Sequence, residues 1–170
     1  DIRTISLVDN IDGYDGIFAD LGVSSFQLDN VESGFSYKED SLLDMRMKKG
    51  TGEPVHIFLN NASKEEIADV IYKFGEEKNS RRIAKAIVDQ RKIKGIKSSA
   101  ELKSVIQKTV PFKNLNKTLS RVFQALRIFI NNELEELKEF LNRSVELLKT
   151  GGRIVILSYH SLEDRIVKDF

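Results

Sequence analysis

The sequence predicts an α/β fold in which both ends of the chain contribute strands and the middle contributes helices. Short β-rich runs lie at residues 4–8 and 16–19, bounded by Asp, Asn and Gly, and a continuous apolar run lies at 154–157, just after Gly151 and Gly152. These runs are apolar on both faces, which favours strands buried in a parallel sheet. Between them, apolar residues recur at helical spacing. We therefore expect α/β ends that flank an all-helical middle.

Capping signals place the beginnings and ends of the predicted helices. Two segments match the capping box, in which an N-cap Ser is followed three residues later by Glu: Ser63 with Glu66, and Ser98 with Glu101. Gly75 can close the first of these helices, and Ser80 can cap the helix that follows. Asn131 and Asn132 mark a break before an amphipathic helix that we expect Gly151 to end.

Positive charge is concentrated in the helical middle. Residues 78–127 carry 14 Lys and Arg side chains and only two acidic ones, whereas the whole chain has a net charge of +1. A solvated surface normally mixes both signs, so this stretch favours binding to a polyanion such as nucleic acid, with an ordinary basic surface as the alternative. The candidate phosphate contacts follow one predicted helix: Arg81, Arg82, Lys85 and Lys92.

Three aromatic residues in predicted loops are candidates to stack on a nucleobase. They are Phe26, Phe35 and Tyr37. Stacking on an aromatic ring is tolerant of base identity and is common in proteins that bind single strands. Loop aromatics serve at least as often in local packing, so both interpretations stay open.

Polar residues follow the strand that we expect to end at Asp20. Ser24, Ser25 and Gln27 come directly after it. In open α/β sheets, ligands bind outside the carboxyl ends of the strands, so these side chains are placed to contact a ligand. The alternative is structural, with Asp20 capping a turn and the serines satisfying backbone groups.

His160 follows the last predicted strand in the same way. It lies at the carboxyl edge of that strand, on the same side as Asp20, and is a candidate site residue. The structural alternative is a capping box formed by Ser161 with Asp164 at the start of the final helix. A Ser-His-Asp hydrolase is the weakest interpretation, because Ser161 adjoins His160 and there is no G-x-S-x-G elbow.

Composition excludes several classes of protein. The chain of 170 residues has no cysteine, which excludes disulfide scaffolds, zinc ribbons and thiol nucleophiles. Its two histidines, His56 and His160, give no metal-ligand spacing, so no metal is expected. Apolar runs are too short for a membrane span or a signal peptide. Because the chain begins at Asp1 rather than Met, we expect it to begin inside a longer reading frame.

Five segments together resemble one family. In order along the chain they are DLGVSSFQLD, GFSY followed by LDMRM, GEEKNSRRIAKAI, RVFQALRIFINNEL and GGRIVILSYHSLEDRIVKDF. They resemble the bacterial small-subunit ribosomal RNA (cytosine-N4)-methyltransferases, over about Gly13 to Phe170. The resemblance implies a partial class I, Rossmann-like methyltransferase core at 1–30 and 118–170. It also implies an inserted all-helical RNA-binding domain at 31–117.

The resemblance further implies an activity and its partners. It implies that S-adenosyl-L-methionine donates a methyl group to the exocyclic N4 amine of a cytidine in small-subunit ribosomal RNA. Asp20 and Gln27 would contact the cofactor, and the catalytic candidates are Asp20, Ser24, Ser25 and His160. The expected partner is this RNA or the assembled small subunit, in the cytoplasm and away from membranes, and a homodimer stays open.

The sequence departs from the family pattern at its beginning. The family's cofactor site starts with an upstream strand and a glycine-rich turn that ends in Gly-Gly-His, and neither occurs here. We therefore expect these residues to hold only part of the cofactor site and to be inactive alone. The main alternative is a non-catalytic RNA-binding or ribosome-assembly protein.

Overall fold

The structure is a computed structural model that describes residues 12–24 and 34–170. Helices account for most of these residues. These residues divide into two compact units. The sheet unit comprises residues 12–22 together with Glu133–Phe170, and the helical unit comprises residues 23–24 and 34–132. The fold is thus mixed α/β and mostly helical. Within the described ranges, no helix is long and apolar enough to span a bilayer.

Among the residues that the structure describes, the sheet unit contains two strands, and they are parallel. Strand β1 spans Tyr14–Asp20 and β2 spans Leu148–Leu157, with Phe18 paired to Val155 and Asp20 to Leu157. The predicted strands at 16–19 and 154–157 are confirmed, whereas the one at 4–8 lies outside the described residues. Parallel strands place their carboxyl ends at the same edge, so residues that follow β1 and β2 become neighbours.

One face of this two-stranded sheet is exposed in the described structure. Ile17 is buried, as are Leu137, Leu141 and Leu162 of the helices in the same unit. On β1, however, the Phe18 side chain is 64% exposed, and its partner Val155 is 53% exposed. The prediction of strands buried on both faces is therefore wrong for these residues.

The second strand begins earlier than the sequence indicates. The preceding helix spans Glu133–Leu147, and β2 follows it at once, at Leu148. Gly151, expected to end that helix, lies inside β2 with φ +83°. The register between the strands shifts there, since Tyr14 pairs with Leu148 but Gly16 pairs with Arg153. Gly151 thus provides the positive φ that an irregularity of this kind uses.

The helical unit is built from five α-helices and a short 3₁₀ helix within 34–132. These are α1 (Val55–Asn61), α2 (Lys64–Gly75), α3 (Ser80–Ile93), α4 (Ser99–Gln107), the 3₁₀ helix Phe112–Asn114 and α5 (Leu115–Asn131). In the sheet unit, α6 is Glu133–Leu147 and α7 is Ser161–Asp169. The predicted insert ends at residue 117, but the helical unit includes all of α5.

The helix boundaries confirm both capping boxes and correct two other expectations. The side chains of Ser63 and Ser98 each accept a hydrogen bond from the N3 backbone, and the N3 Glu carboxylates reach back. Ser80 is the first residue of α3 rather than its cap. Gly75 is the last residue of α2, and it is Glu76 that adopts the left-handed conformation. A Cβ at Gly75 would lie 2.5 Å from the Arg121 carbonyl oxygen, so this glycine permits close packing of α2 on α5.

The break predicted at Asn131 and Asn132 is confirmed, and Asn131 has a further role. Asn132 caps α5 in the left-handed conformation, with φ +51°. The Asn131 amide nitrogen donates to the carbonyl of Met45 at 2.7 Å, and its oxygen accepts from the backbone NH of Met47 at 2.7 Å. Met45 is buried with φ +58°. The Asn131 side chain therefore fixes the loop at Met45 in a backbone conformation that non-glycine residues rarely adopt.

Candidate functional site

Asp20 lies at the carboxyl edge of the sheet, where the sequence predicts it. Its side chain is exposed, and its Oδ1 accepts a hydrogen bond of 2.7 Å from the hydroxyl of Tyr159. The backbone NH of Leu21 donates to the carbonyl of Leu157 at 3.1 Å, which extends the pairing of the strands past Asp20. The carboxylate is thus held at the end of two paired strands, and its other oxygen has no partner within the described part of the chain.

Tyr159 is a further candidate site residue, which the sequence does not single out. It lies two residues past the end of β2, and 68% of it is exposed. A Cβ at Gly22 would lie 3.7 Å from its Cδ2, so the glycine turn after β1 passes close to the ring. The hydrogen bond to Asp20 and the charge of that carboxylate raise the pKa of the Tyr159 phenol. Tyr159 therefore remains a proton donor to Asp20 at neutral and mildly alkaline pH.

His160 caps α7 rather than facing the open edge. Its Nδ1 accepts from the backbone NH of Glu163 at 3.3 Å, and the Glu163 Oε2 accepts from the backbone NH of Tyr159 at 2.9 Å. The predicted capping box of Ser161 with Asp164 is wrong by one residue, because α7 begins at Ser161 and its N-cap is His160. The His160 side chain is only 9% exposed. A capping role accounts for this burial.

Glu133, His160 and Glu163 form a cluster of side chains that are of the types that bind metal ions. Their ligand atoms lie within 4.8 Å of one another. However, neutral imidazole has one lone pair, and the Nδ1 lone pair accepts from the Glu163 backbone, which assigns the proton to Nε2. Nε2 lies 3.2 Å from Glu163 Oε1 and makes no hydrogen bond within the described residues. In this tautomer Nε2 can donate but cannot bind a cation, so the cap explains the cluster better than a metal does.

The other residues predicted to follow β1 are only partly described. Ser24 is exposed and lies at the start of the helical unit. Ser25 and Gln27 lie outside the described residues, so the expected contact of Gln27 with the cofactor stays a prediction.

The predicted basic residues lie on the exposed face of α3. Arg81, Arg82, Lys85 and Lys92 are all exposed, and the opposite face of the helix is buried through Ile83, Ala84 and Ile87. Lys85 and Lys92 share a single carboxylate, Asp89, at 2.9 and 3.8 Å. Ion pairs this exposed contribute little and are screened by salt. Phosphates can therefore replace Asp89 as the partner of these lysines at small cost.

Other cations of the basic stretch have structural roles. Arg91 donates to the carbonyls of Leu59 and Ala62 at 2.8 and 2.7 Å, which ties α3 to the end of α1. Lys94 pairs with the capping-box residue Glu101 at 2.6 Å. The positive charge of residues 78–127 therefore overestimates the number of their side chains that are available to bind a ligand.

The described loop aromatics serve in packing. Phe35 is buried in the helical core, and the Tyr37 ring packs edge-on against Phe123 with a centroid separation of 5.3 Å. The Tyr37 hydroxyl is hydrogen-bonded to Ser120 at 2.9 Å. Phe26 lies outside the described residues. The packing interpretation is thus confirmed for Phe35 and Tyr37.

Glu77 is a second residue whose role the sequence did not reveal. It is only 2% exposed, and its Oε1 accepts from both the backbone and the side-chain nitrogen of Asn79 at 2.8 Å. Its Oε2 accepts from the Thr118 hydroxyl at 3.2 Å and lies 3.8 Å from Arg121. A buried carboxylate thus joins the turn before α3 to α5.

Known proteins show similarity over nearly the whole chain. A sequence model of the MraW methylase family matches residues 2–170. A ribosomal RNA small subunit methyltransferase H from Rickettsia prowazekii is 52% identical over 158 residues, which cover 92% of this chain and 51% of that protein. Its namesake from Caldicellulosiruptor saccharolyticus is 49% identical over 161 residues, 94% of this chain and 52% of the relative. The chain spans about half the length of these curated relatives. The matched family model and the identity of the relatives together show that the chain belongs to the MraW methylase family.

Proposed function

We propose that the protein containing this chain transfers a methyl group from S-adenosyl-L-methionine to the N4 amine of a cytidine in small-subunit ribosomal RNA. Its membership of a methylase family and the names of its relatives support this activity. The observation that carries the proposal is the exposed Asp20 carboxylate at the carboxyl edge of two parallel strands, held there by Tyr159. We interpret these strands as neighbours in the sheet of a class I methyltransferase, in which ligands bind at this edge.

Asp20 fits a contact to the cofactor. The donor carries a positive sulfonium, and an exposed carboxylate with one unused oxygen favours a nearby positive charge. When bound, S-adenosyl-L-methionine supplies the methyl group. Gln27 is proposed as the second contact from this chain. The glycine-rich turn of the family does not occur in this sequence, so the proposed contacts form part of a larger cofactor site.

The same carboxylate can orient the amine that accepts the methyl group. A cytosine amine is a poor nucleophile, because its lone pair is delocalised into the ring. Hydrogen-bond acceptors that hold the amine hydrogens turn the lone pair toward the donor, and alignment of this kind lowers the barrier substantially. We assign this role to Asp20, with the hydroxyls of Ser24 and Ser25 and nearby backbone carbonyls as further acceptors. His160 then acts as a positioning residue, through the cap of α7.

The basic face of α3 is proposed to hold the RNA backbone. Replacing Arg81 and Lys85 with Glu removes two phosphate contacts, and each contact contributes roughly 0.7 to 0.9 to the slope of log affinity against log salt. We expect weaker RNA binding and a slope lower by about 1.5. The matched control replaces Lys64 and Lys73 on α2 with Glu, which changes the charge equally outside the basic stretch. Equal slopes for the two double variants would remove α3 from the RNA site.

The activity itself is tested with the full-length protein. Small subunits from a strain that lacks the gene are incubated with the protein and the methyl donor, and N4-methylcytidine is measured by mass spectrometry. We expect product with wild-type protein, and no product and no calorimetric donor binding with Asp20→Ala. RNA binding by a wild-type protein that forms no product would instead support the non-catalytic assembly protein.

A further inference from the structure

We propose that Tyr159 provides the surface on which the target cytosine stacks, while its hydroxyl orients the Asp20 carboxylate toward the amine. This inference rests on the proposed function and assigns a base-binding role to an aromatic residue outside the turn that follows β1.

The position of Tyr159 carries the first step of the argument. Asp20 ends β1 and Tyr159 follows β2, and because the strands are parallel both side chains reach the same edge of the sheet. The bond of 2.7 Å between the Tyr159 hydroxyl and Asp20 Oδ1 shows that they meet there. Asp20 Oδ2 has no partner among the described residues, and a base that presents its amine to this oxygen therefore has the Tyr159 ring as a neighbour.

The exposure of the ring carries the second step. An aromatic side chain that is 68% exposed gains little from packing in the folded chain. Its backbone is nevertheless fixed, because the buried Glu163 carboxylate accepts from the Tyr159 NH, and the backbone NH of Glu163 donates to His160 Nδ1. An exposed ring on an anchored backbone is suited to stack on a planar ligand, since little side-chain freedom is lost on binding.

The glycine turn carries the third step. Gly22 lies beside the ring with φ +86°, and a Cβ at this position would come within 3.7 Å of Tyr159 Cδ2. A larger side chain at position 22 would extend over the ring and compete with a base. The turn after β1 thus leaves the ring accessible, without supplying an aromatic residue of its own among the described residues.

Three other aromatic residues that the sequence or the sheet brings into question lie elsewhere in the described chain. Phe35 and Tyr37 are engaged in the helical core, and Phe18 lies two residues before the end of β1, on the face of the sheet. Tyr159 combines an exposed ring with a direct bond to the proposed catalytic carboxylate.

The test compares three variants of the full-length protein with small subunits from the deletion strain as substrate. Tyr159→Leu removes both the ring and the hydroxyl, Tyr159→Phe removes only the hydroxyl, and Tyr72→Leu is the control. Tyr72 is another exposed tyrosine, on α2 and outside the site. Melting temperature, donor affinity, kcat and the KM for the subunit are measured for each protein.

We expect Tyr159→Leu to raise the KM for the subunit about 10-fold through lost stacking, and to lower kcat about 100-fold through a misplaced amine. Tyr159→Phe should restore the KM and leave kcat about 10-fold low, because the ring is present but Asp20 has lost its donor. Donor affinity and melting temperature should stay near those of wild type, and Tyr72→Leu should match wild type throughout.

Two results would overturn this inference but leave the proposed function intact. One is wild-type kcat and KM for Tyr159→Leu, and the other is a KM defect in Tyr159→Phe as large as in Tyr159→Leu, which would show that the ring is not the determinant. A wild-type protein that forms no methylated cytidine would overturn the proposed function and this inference with it.

Discussion

The helical unit and the sheet unit bury their side chains to very different extents. In the described structure, the largest fully buried side chains all lie in the helical unit, and they run from Leu43 to Leu126 along the chain. The sheet unit buries only a few apolar residues and leaves Phe18, Val155 and Leu157 exposed on its strands. Most of the hydrophobic stabilisation of the described chain therefore comes from the unit that carries the basic face.

The residues that contribute most to stability and the residues that we assign to methyl transfer therefore lie mostly in different units. Asp20, Tyr159 and His160, to which we assign roles in methyl transfer, lie on the sparsely buried sheet unit, and the residues that we assign to RNA phosphates lie on the well-packed helices. Local stability follows buried contacts, so the strand ends are expected to open at lower free energy than the helical core. The following predictions test this contrast, from the largest expected effect to the smallest.

A matched pair of core truncations should show the contrast most clearly. Ile71 on α2 is fully buried, whereas Val155 on β2 is half exposed. We expect Ile71→Ala to lower the free energy of unfolding by about 4 kcal/mol and Val155→Ala by less than about 1 kcal/mol, because only the former leaves a cavity. Urea denaturation followed by circular dichroism measures both. Similar losses for the two variants would contradict the contrast.

Removal of the buried carboxylate should be the next largest effect. Glu77→Ala leaves the two Asn79 donors and the Thr118 hydroxyl without their acceptor, and we expect a loss of about 3 kcal/mol from the helical unit. Glu77→Gln keeps one acceptor and should lose less. The control is Asp69→Ala, an exposed carboxylate on α2. If Glu77→Ala lowers the free energy of unfolding no more than Asp69→Ala does, the hydrogen bonds of Glu77 do not stabilise the helical unit.

The cap of α7 should have a smaller effect, confined to the sheet unit. His160→Ala removes the acceptor of the Glu163 NH and should lower the free energy of unfolding by about 1 kcal/mol. His160→Asn should recover most of this loss, because Asn is a strong N-cap residue. Hydrogen exchange of the first turn of α7 reports the change. Lost turnover with both variants at unchanged exchange would instead favour a direct catalytic role for His160.

The ionisation of Tyr159 should have the smallest effect on stability. Its pKa is raised in the folded protein by the hydrogen bond to Asp20, from about 10 in the unfolded chain. The stabilisation from this bond is therefore complete below about pH 10 and is lost as the pH rises through the higher folded value. Ultraviolet titration of phenolate, with Tyr159→Phe as the blank, should give a lower pKa in Asp20→Asn than in wild type. Equal values would show that Asp20 does not hold the phenol in solution.

Local signals predicted much of this fold. The boxes of Ser63 and Ser98 and the break at Asn132 depend on residues within one turn of each other, so the sequence contains the whole interaction. The parallel strands can also be predicted from the sequence, because their apolar runs and their separation in the chain leave few alternatives.

Interactions across long distances in sequence were not predicted. Asp20 was a candidate from its position after a strand, but its bond to Tyr159 joins residues 139 positions apart. Gly75 resembles a helix terminator, and only the packing of α2 on α5 shows why its Cβ must be absent. The sequence places the cap of α7 at Ser161 instead of His160, because Ser is the more common capping residue and nothing local ranks the imidazole above it.

The Asn131 side chain imitates a peptide group toward the loop at Met45 and Met47. It presents one NH and one carbonyl oxygen, as a backbone peptide group does. The Met45 carbonyl accepts from this NH, and the Met47 NH donates to this oxygen. Carboxylates and hydroxyls cannot reproduce both halves with fixed polarity, and Gln is one methylene too long. The side chain at the end of α5 therefore fixes the register of this loop. A shift of the loop by one residue would place NH opposite NH and oxygen opposite oxygen.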